Sequence, residues 1–255
     1  MRFAKYQGIG NDFVIVERRA VGRLTPSRAK QLCDRRFGIG ADGVLVVEPG
    51  EKAPWRMTVH NADGSVPEMC GNGLRCVVRY LGDRDPSLGS SFTVETGAGP
   101  LPVTDGPAGV TVQMGTIVDH GSRTLKLGDA AYTGRHLSLG NPHFVLFGRW
   151  SDAAFRALGP ALVAHPDFDH GANISFAEPG AAGIDLRVWE RGAGPTLACG
   201  TGASATAAAA WLEGRVAPGL VRIDLPGGRL HIGGRPDAIT MTGGAEKVFE
   251  GVWAG

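Results

Sequence analysis

The chain has 255 residues, with 26 Lys or Arg against 25 Asp or Glu, for a formal net charge of +1. That balance argues against nucleic acid or an anionic membrane surface as a partner. Hydrophobic residues make up 43%, enough for the core of one large or two small domains, and 40 Gly with 16 Pro disfavour a helical bundle.

The N-terminal stretch MRFAKYQGIGNDFVIV lacks the apolar core of a signal peptide and reads as structure from its first residue. No apolar run is long enough to span a bilayer. Four cysteines do not make a disulfide scaffold. A cytoplasmic, reduced enzyme is the expected class. The segment TPSRAKQLCDRRFG (25–38) has a Thr cap, an early Pro and a closing Gly, which predict a helix. VLVVEP (44–49) and RMTVHN (56–61) are short β-branched or alternating runs bounded by turn residues, hence strands. EMCGNGLRCVVRYL, from Glu68, sets Cys70 before Gly-Asn-Gly and a helical run. FTVETG (92–97), VTVQMG (110–115), HFVLFG (143–148) and DLRVWE (185–190) are further strands. LACGTGASATAAAAW (197–211) then sets Cys199 before Gly-Thr-Gly and an alanine-rich helix, slim enough for strands to wrap closely around it. VRIDLP (221–226) and AEKVFEGVW (245–253) complete the strands.

Cys70 and Cys199 are 129 residues apart, and the same offset aligns their surroundings. MTVHNADGSVPEMCGNG (57–73) falls on LRVWERGAGPTLACGTG (186–202), so that Asn61 meets Glu190. TVETGAGPLPV (93–103) falls on RIDLPGGRLHI (222–232). GIGNDFV (8–14) echoes LGNPHFV (139–145) after a small gap, pairing Asn11 with Asn141. An internal repeat of this kind predicts two homologous halves, 1–115 and 116–244. The expected fold is α+β, with each half a curled mixed sheet around a central helix and a ligand cleft between the halves.

A helix N-terminus presents unbonded N–H groups and partial positive charge. Gly71-Asn72-Gly73 and Gly200-Thr201-Gly202 leave those groups open, so each loop suits a carboxylate, and the same field favours a thiolate. Zinc wants CxxC spacing or further His and Cys, which neither loop has, and His143 alone completes no site. A cysteine hydrolase gives no reason for a second, symmetric cysteine. A redox disulfide is chemically open, without a CxxC motif to support it. Two symmetric thiols suit a racemase or epimerase, one removing a proton from a stereocentre and the other returning one on the opposite face, with no cofactor. Cys33 and Cys76, inside helices, are expected to pack. Arg75 is expected to pack or pair on its helix.

With GIGNDF (8–13), NADGS (61–65), CGNG (70–73), GNPH (140–143), ANI (172–174), ERGAG (190–194), CGTGASA (199–205) and PGG (226–228) in this order, the chain resembles the diaminopimelate epimerase family over almost its whole length. The resemblance implies that Cys70 and Cys199 are the catalytic acid/base pair. It implies that the N–H groups of Gly71, Asn72, Gly200 and Thr201 cradle the α-carboxylate. Asn11, Asn61, Asn141 and Asn173 look like substrate-holding amides, Arg191 like the clamp on the distal carboxylate, and Glu190 and His143 like groups that tune the thiols, with Glu190 also lining the substrate site. The implied reaction interconverts LL- and meso-diaminopimelate, a small-molecule substrate, on the way to lysine and peptidoglycan precursors. The implied assembly is a homodimer, with the last strand, within 245–255, returning to the first half. Gly43 stands where some relatives carry Gln, Pro195 where Glu is usual, and HPDFDHGAN lacks the usual Phe-Pro, departures that bear on substrate tuning. A related racemase of the proline, hydroxyproline or histidine type is the alternative, although the proline type is expected to read CGHG in its first loop, where this chain has CGNG. A fold relative that only binds or senses redox state is a third reading.

Overall fold

The computed structural model describes residues 1–254. In chain order its strands are β1 (Arg2–Gly8), β2 (Asn11–Glu17), β3 (Gly43–Pro49), β4 (Trp55–Asn61), β5 (Ser91–Thr96), β6 (Gly99–Gly106), β7 (Gly109–Gly115), β8 (Val118–Leu127), β9 (Ala130–Ser138), β10 (Pro142–Phe147), β11 (Asn173–Gly180), β12 (Gly183–Glu190), β13 (Gly194–Thr196), β14 (Val221–Leu225), β15 (Gly228–Arg235), β16 (Ala238–Gly243) and β17 (Glu246–Val252). The helices are α1 (Arg18–Val21), α2 (Pro26–Cys33), α3 (Gly71–Arg84), α4 (Asp152–Val163) and α5 (Gly200–Leu212). The fold is α+β. Among the described residues no helix is long and apolar enough to cross a membrane.

The chain divides into two compact units. The first is Met1–Gln113 with the segment from Thr242 onward, and the second is Met114–Met241. In the first, the strands pair in the order β17–β1–β2–β3–β4–β5–β6–β7, parallel at β2–β3 and β4–β5 and antiparallel elsewhere. In the second they run β8–β9–β10–β11–β12–β14–β15, parallel at β10–β11 and β12–β14. The short β13 pairs with the far end of β12.

The sequence repeat is also a repeat of register. Trp55 opposite Val94 in the first unit becomes Ile184 opposite Ile223 in the second, each position 129 further on. Phe92 opposite Val103 becomes Val221 opposite Ile232 by the same step. Upstream the step is 130, because Phe13 opposite Gly43 becomes His143 opposite Asn173. The β11–β12 hairpin is one residue shorter than β3–β4, and that is the small gap in the sequence alignment.

Each unit encloses one helix. α3 packs against β1, β2, β3, β4, β6 and β17, and α5 against β9, β10, β11, β14 and β15. Ala203, Ala205 and Ala207 through Ala210 of α5 are fully buried. A helix apolar on every side belongs in a core, and alanine lets the strands approach it closely. Ser204 is buried too, and its hydroxyl donates to the Gly200 carbonyl at 2.9 Å. β3 matches this with Val44, Leu45, Val46 and Val47, all buried, as a strand covered on both faces requires.

The sequence reading names no strand at β8, β9 or β16, and it differs from the structure at two helices. α2 stops at Cys33 rather than continuing to Gly38. Asp34 takes an extended conformation and its carboxylate accepts the N–H groups of Arg36 and Phe37, each at 2.7 Å. A local Asx turn outcompetes another helical turn there. α4 is a helix the sequence reading does not name, and Ser151 caps it by accepting from Ala154 N at 3.1 Å. The predicted strand 245–255 runs over β17, and its last residue, Gly255, lies outside the described residues.

α4 lies on the indole of Trp189, and a Cβ at Gly159 would come within 2.3 Å of that ring. Trp189 is itself packed against Phe155 at 5.4 Å between ring centroids. Gly159→Ala is therefore expected to destabilise the protein by about 1–3 kcal/mol through overpacking, although alanine is the better helix former. Urea unfolding checks this, and a stabilised variant would contradict the packing described.

Candidate active site

The first unit presents Cys70 as the N-cap of α3, with φ −139° and ψ 109°. Its Sγ accepts the Gly73 N–H at 3.4 Å. A Cβ on Gly73 would touch the Leu45 side chain at 3.0 Å, so the loop lies directly on β3. Asn72 is buried, and its amide nitrogen donates to Asn11 Oδ1 at 3.2 Å. Asn72 Oδ1 accepts Arg75 Nη1 at 2.8 Å. Asn11 Nδ2 in turn donates to Asp42 Oδ2 at 2.7 Å. The acids are held by cations. Arg35 Nη2 reaches Asp12 Oδ1 at 2.7 Å and Asp42 Oδ1 at 2.8 Å, and Lys5 Nζ reaches Asp12 Oδ2 at 2.6 Å. Burial opposes ionisation of Asp12, but hydrogen bonds from Arg35 and Lys5 outweigh it and hold its pKa down to about 2.

The second unit presents Cys199 as the N-cap of α5 with nearly the same backbone, φ −132° and ψ 102°. A Cβ on Gly202 would meet Val188 at 3.1 Å and the Cys199 sulfur at 3.2 Å, so the turn is tightly packed against both. Cys199 Sγ lies 3.7 Å from Thr201 Oγ1. Asn141 links Thr201 to His143, with Nδ2 donating to Thr201 Oγ1 at 3.5 Å and Oδ1 lying 3.0 Å from His143 Nε2. That contact puts the imidazole proton on Nε2. Full burial pushes the His143 pKa down to about 3, with the charge of His136 adding to it, so the ring is neutral near pH 7. Glu190 Oε1 accepts from Thr196 Oγ1 at 2.6 Å. Asn173 donates through Nδ2 to the Pro142 carbonyl at 3.2 Å and accepts the Arg191 N–H at 2.9 Å. The Arg191 side chain is exposed and donates from Nη1 to the His170 carbonyl at 2.7 Å.

The expectation that a helix mouth lowers the thiol pKa is not met at Cys199. Burial and the negative charge of Glu190 push it well up, and the bonds from Thr201 and Gly202 do not offset them. In the first unit, Asn11 and Asn72 meet at the mouth of α3 with their side chains spent on protein partners. Asn61 donates to Ser65 Oγ at 2.9 Å within its own turn, while Asp63 accepts from the same hydroxyl. In the second unit, Asn141 and His143 connect to the loop of Cys199, and Glu190 acts on that thiol. Asn173 instead ties β10 to the start of the turn that carries Arg191. Cys33 and Cys76 are buried, as expected. The Asp12–Asp42–Arg35 network does not show in the sequence, and Arg75, expected to pack or pair on its helix, bonds both Asn72 there and the distant Gly244 carbonyl. Arg75, an arginine flanked by Leu74, Cys76, Val77 and Val78, was the available signal for a buried, bonded charge.

The fold is shared with solved racemases and epimerases and with phenazine-biosynthesis PhzF proteins. A PhzF-family protein of Bacillus anthracis superposes with a TM-score of 0.77 at 17% identity, covering 99% of both chains. A probable proline racemase of Agrobacterium radiobacter gives 0.75 at 13%, covering 99% of this chain and 92% of that one. The sequence narrows this class. The chain belongs to the diaminopimelate epimerase family, whose model matches residues 3–119 and 136–248. The diaminopimelate epimerase of Synechococcus elongatus is 44% identical, covering 98% of this chain and 97% of its own. The chloroplastic diaminopimelate epimerase of Oryza sativa subsp. japonica is 43% identical, covering 98% and 79%.

The neutral, buried His143 has a consequence for stability. Its folded pKa of about 3 lies below the ordinary 6.5. The unfolded chain therefore binds a proton that the folded chain refuses. This contribution is fully present above about pH 6.5 and is lost as pH falls from there toward 3. Between pH 7.5 and 5.0 it should cost about 2 kcal/mol. Urea titrations at the two pH values should show that loss in the parent and a loss smaller by about that amount in His143→Gln. Equal losses in both would mean that His143 is not buried neutral.

Proposed function

We propose that the chain is a diaminopimelate epimerase that exchanges the α-proton between two thiols, Cys70 and Cys199. The observation that carries this reading is that two cysteines cap buried helices with the same backbone conformation at the same point of an internal repeat. Each unit supplies one thiol to the same α-carbon. The thiolate takes the α-proton, leaving a carbanion beside the α-carboxylate. The opposite thiol gives its proton to the other face and becomes the thiolate. Electrons and protons balance without a redox step, and the enzyme ends with the two roles exchanged. The first-turn N–H groups of α3 and α5, at Gly71 and Asn72 and at Gly200 and Thr201, receive the carboxylate and stabilise the charge that develops on it.

The other roles follow from the same reading. Asn61, Asn173 and Glu190 line the substrate, with Arg191 as a fork for the distal carboxylate. Asn11 and Asn141 act on the substrate by holding the second residue of each loop. His143 and Glu190 tune Cys199. We read the protein as a cytoplasmic homodimer.

Cys70→Ala and Cys199→Ala should each lose epimerisation by at least about 10²–10⁴-fold, the usual scale of a general acid or base. Incorporation of deuterium at the α-carbon from heavy water measures both halves of the reaction. Near-full turnover by either variant sinks the two-thiol mechanism. Turnover of proline or histidine but not of diaminopimelate by the parent would replace the substrate.

A further inference from the structure

Arg75 is a fully buried charged side chain that the proposed chemistry does not use. Burying a cation is costly unless bonds and nearby anions offset it. Its guanidinium donates from Nη1 to Asn72 Oδ1 at 2.8 Å and from Nε to the Gly244 carbonyl at 3.2 Å. β1 makes room for it, since a Cβ on Gly8 would lie 3.1 Å from Nη2. Asn72 Nδ2 continues to Asn11 Oδ1, and Asn11 Nδ2 to Asp42 Oδ2. With a cation at one end and a carboxylate at the other, each amide has only one orientation that satisfies the chain.

We infer that Arg75 is a positioning residue of the first loop: it fixes Asn72 at the mouth of α3 and sets a buried positive charge that favours the thiolate of Cys70. The inference rests on the two-thiol reading above and deepens it by assigning the starting roles.

Two thiols interact with the Arg75 charge, Cys76 and Cys70, and both act against the burial that pushes the arginine pKa down. Cys76 is completely buried and pushed up to about 12, so it stays a thiol. Cys70 is half-buried and caps the helix that carries Arg75. The other groups on the elements packed against α3 do not compete near neutral pH. On β1, Lys5 is paired with Asp12 of β2, and Tyr6 is bonded to Asp83 and pushed up by burial. Glu17 of β2 meets Arg84, Glu48 of β3 meets Arg18, and Asp105 of β6 meets Arg79. His60 of β4 is pushed down by burial and stays neutral, and on β17 Lys247 meets Glu250 while Glu246 accepts from Gln7.

The second unit differs at the corresponding places. Ser204 stands where Arg75 does, and Glu190 where the neutral Asn61 does. One loop thus has a cation, and the other an anion that adds to the burial pushing the Cys199 thiol up. At rest Cys70 is the base and Cys199 the acid.

The test uses the full-length protein, iodoacetamide and mass-spectrometric mapping of the alkylated cysteine from pH 6 to 10. Arg75→Met should move the Cys70 rate profile up by about one pH unit, making alkylation about tenfold slower at pH 7. Arg75→Lys keeps the charge but not the planar fork, so the profile should stay while KM for diaminopimelate rises severalfold. A cooperatively melting Arg75→Met with the parent's profile overturns the inference. If that variant does not fold, Arg75→Lys decides, and a shifted profile or an unchanged KM overturns it. Alkylation needs no substrate. A parent protein that fails to exchange the α-proton would therefore sink the epimerase reading, while the alkylation profiles still test the charge of Arg75.

Discussion

Both thiol centres depend on a helix that starts inside the protein with a cysteine as its N-cap. Serine, threonine, asparagine or aspartate would bond the first N–H groups well and close the helix end. A sulfur is a poorer acceptor, and Cys70 meets the Gly73 N–H only at 3.4 Å. Much of the field of the helix terminus therefore remains for a ligand. The third helical residue is glycine in both loops, lying against Leu45 in one unit and Val188 in the other. A side chain there would crowd the residue of the strand beneath it. The strand register fixes where each helix starts, and the helix start fixes where each sulfur sits.

An identical scaffold does not make identical thiols. If one cysteine must begin ionised and the other protonated, symmetric surroundings would leave the enzyme divided between productive and unproductive states. The two units keep the backbone and change the charges around it. Positions separated by the repeat offset read Asn61 and Glu190, Asn72 and Thr201, Arg75 and Ser204. Two of these three changes alter charge, and both favour the anion on the Cys70 side. On the two-thiol reading, these charges bear on which sulfur begins as the thiolate.

The repeat was legible in the sequence because it is almost ungapped. From β4 to β15 every aligned position keeps one offset, so the cysteines, the glycines and the flanking strands could be superposed by eye. The placing of both cysteines at matching helix starts followed from that. What could not be read was which amides are spent on the protein. Asn173 bonds a carbonyl 31 residues away across a strand pair, and Asn72 an amide 61 residues away. Such partners depend on register, which composition does not reveal. α2 was overextended for a related reason, since its closing signal was taken to be Gly38 while Asp34 already offered the backbone a turn. Arg75 was assigned to its own helix, which is half right, because Asn72 lies one turn away and Gly244 is 169 residues distant.

The inward use of side chains bears on how such a site gains its rate. A carbanion beside a carboxylate is stabilised by dipoles already aimed at it, not by groups that must first be recruited. Asn11, Asn72 and Asn141 have their amides committed to neighbours, which holds the second residue of each loop still. What each loop then offers a ligand is backbone N–H and sulfur, groups with little freedom to turn away. The charges Arg35, Asp42 and Arg75 end the amide chain in the first unit, and the neutral His143 ends it in the second. Charged ends cost more to bury, but each fixes the orientation of every amide between them, whereas a neutral imidazole fixes only its neighbour. The first loop should accordingly be the more rigid of the two, which suits the place the inference above gives to Arg75 as its positioning residue.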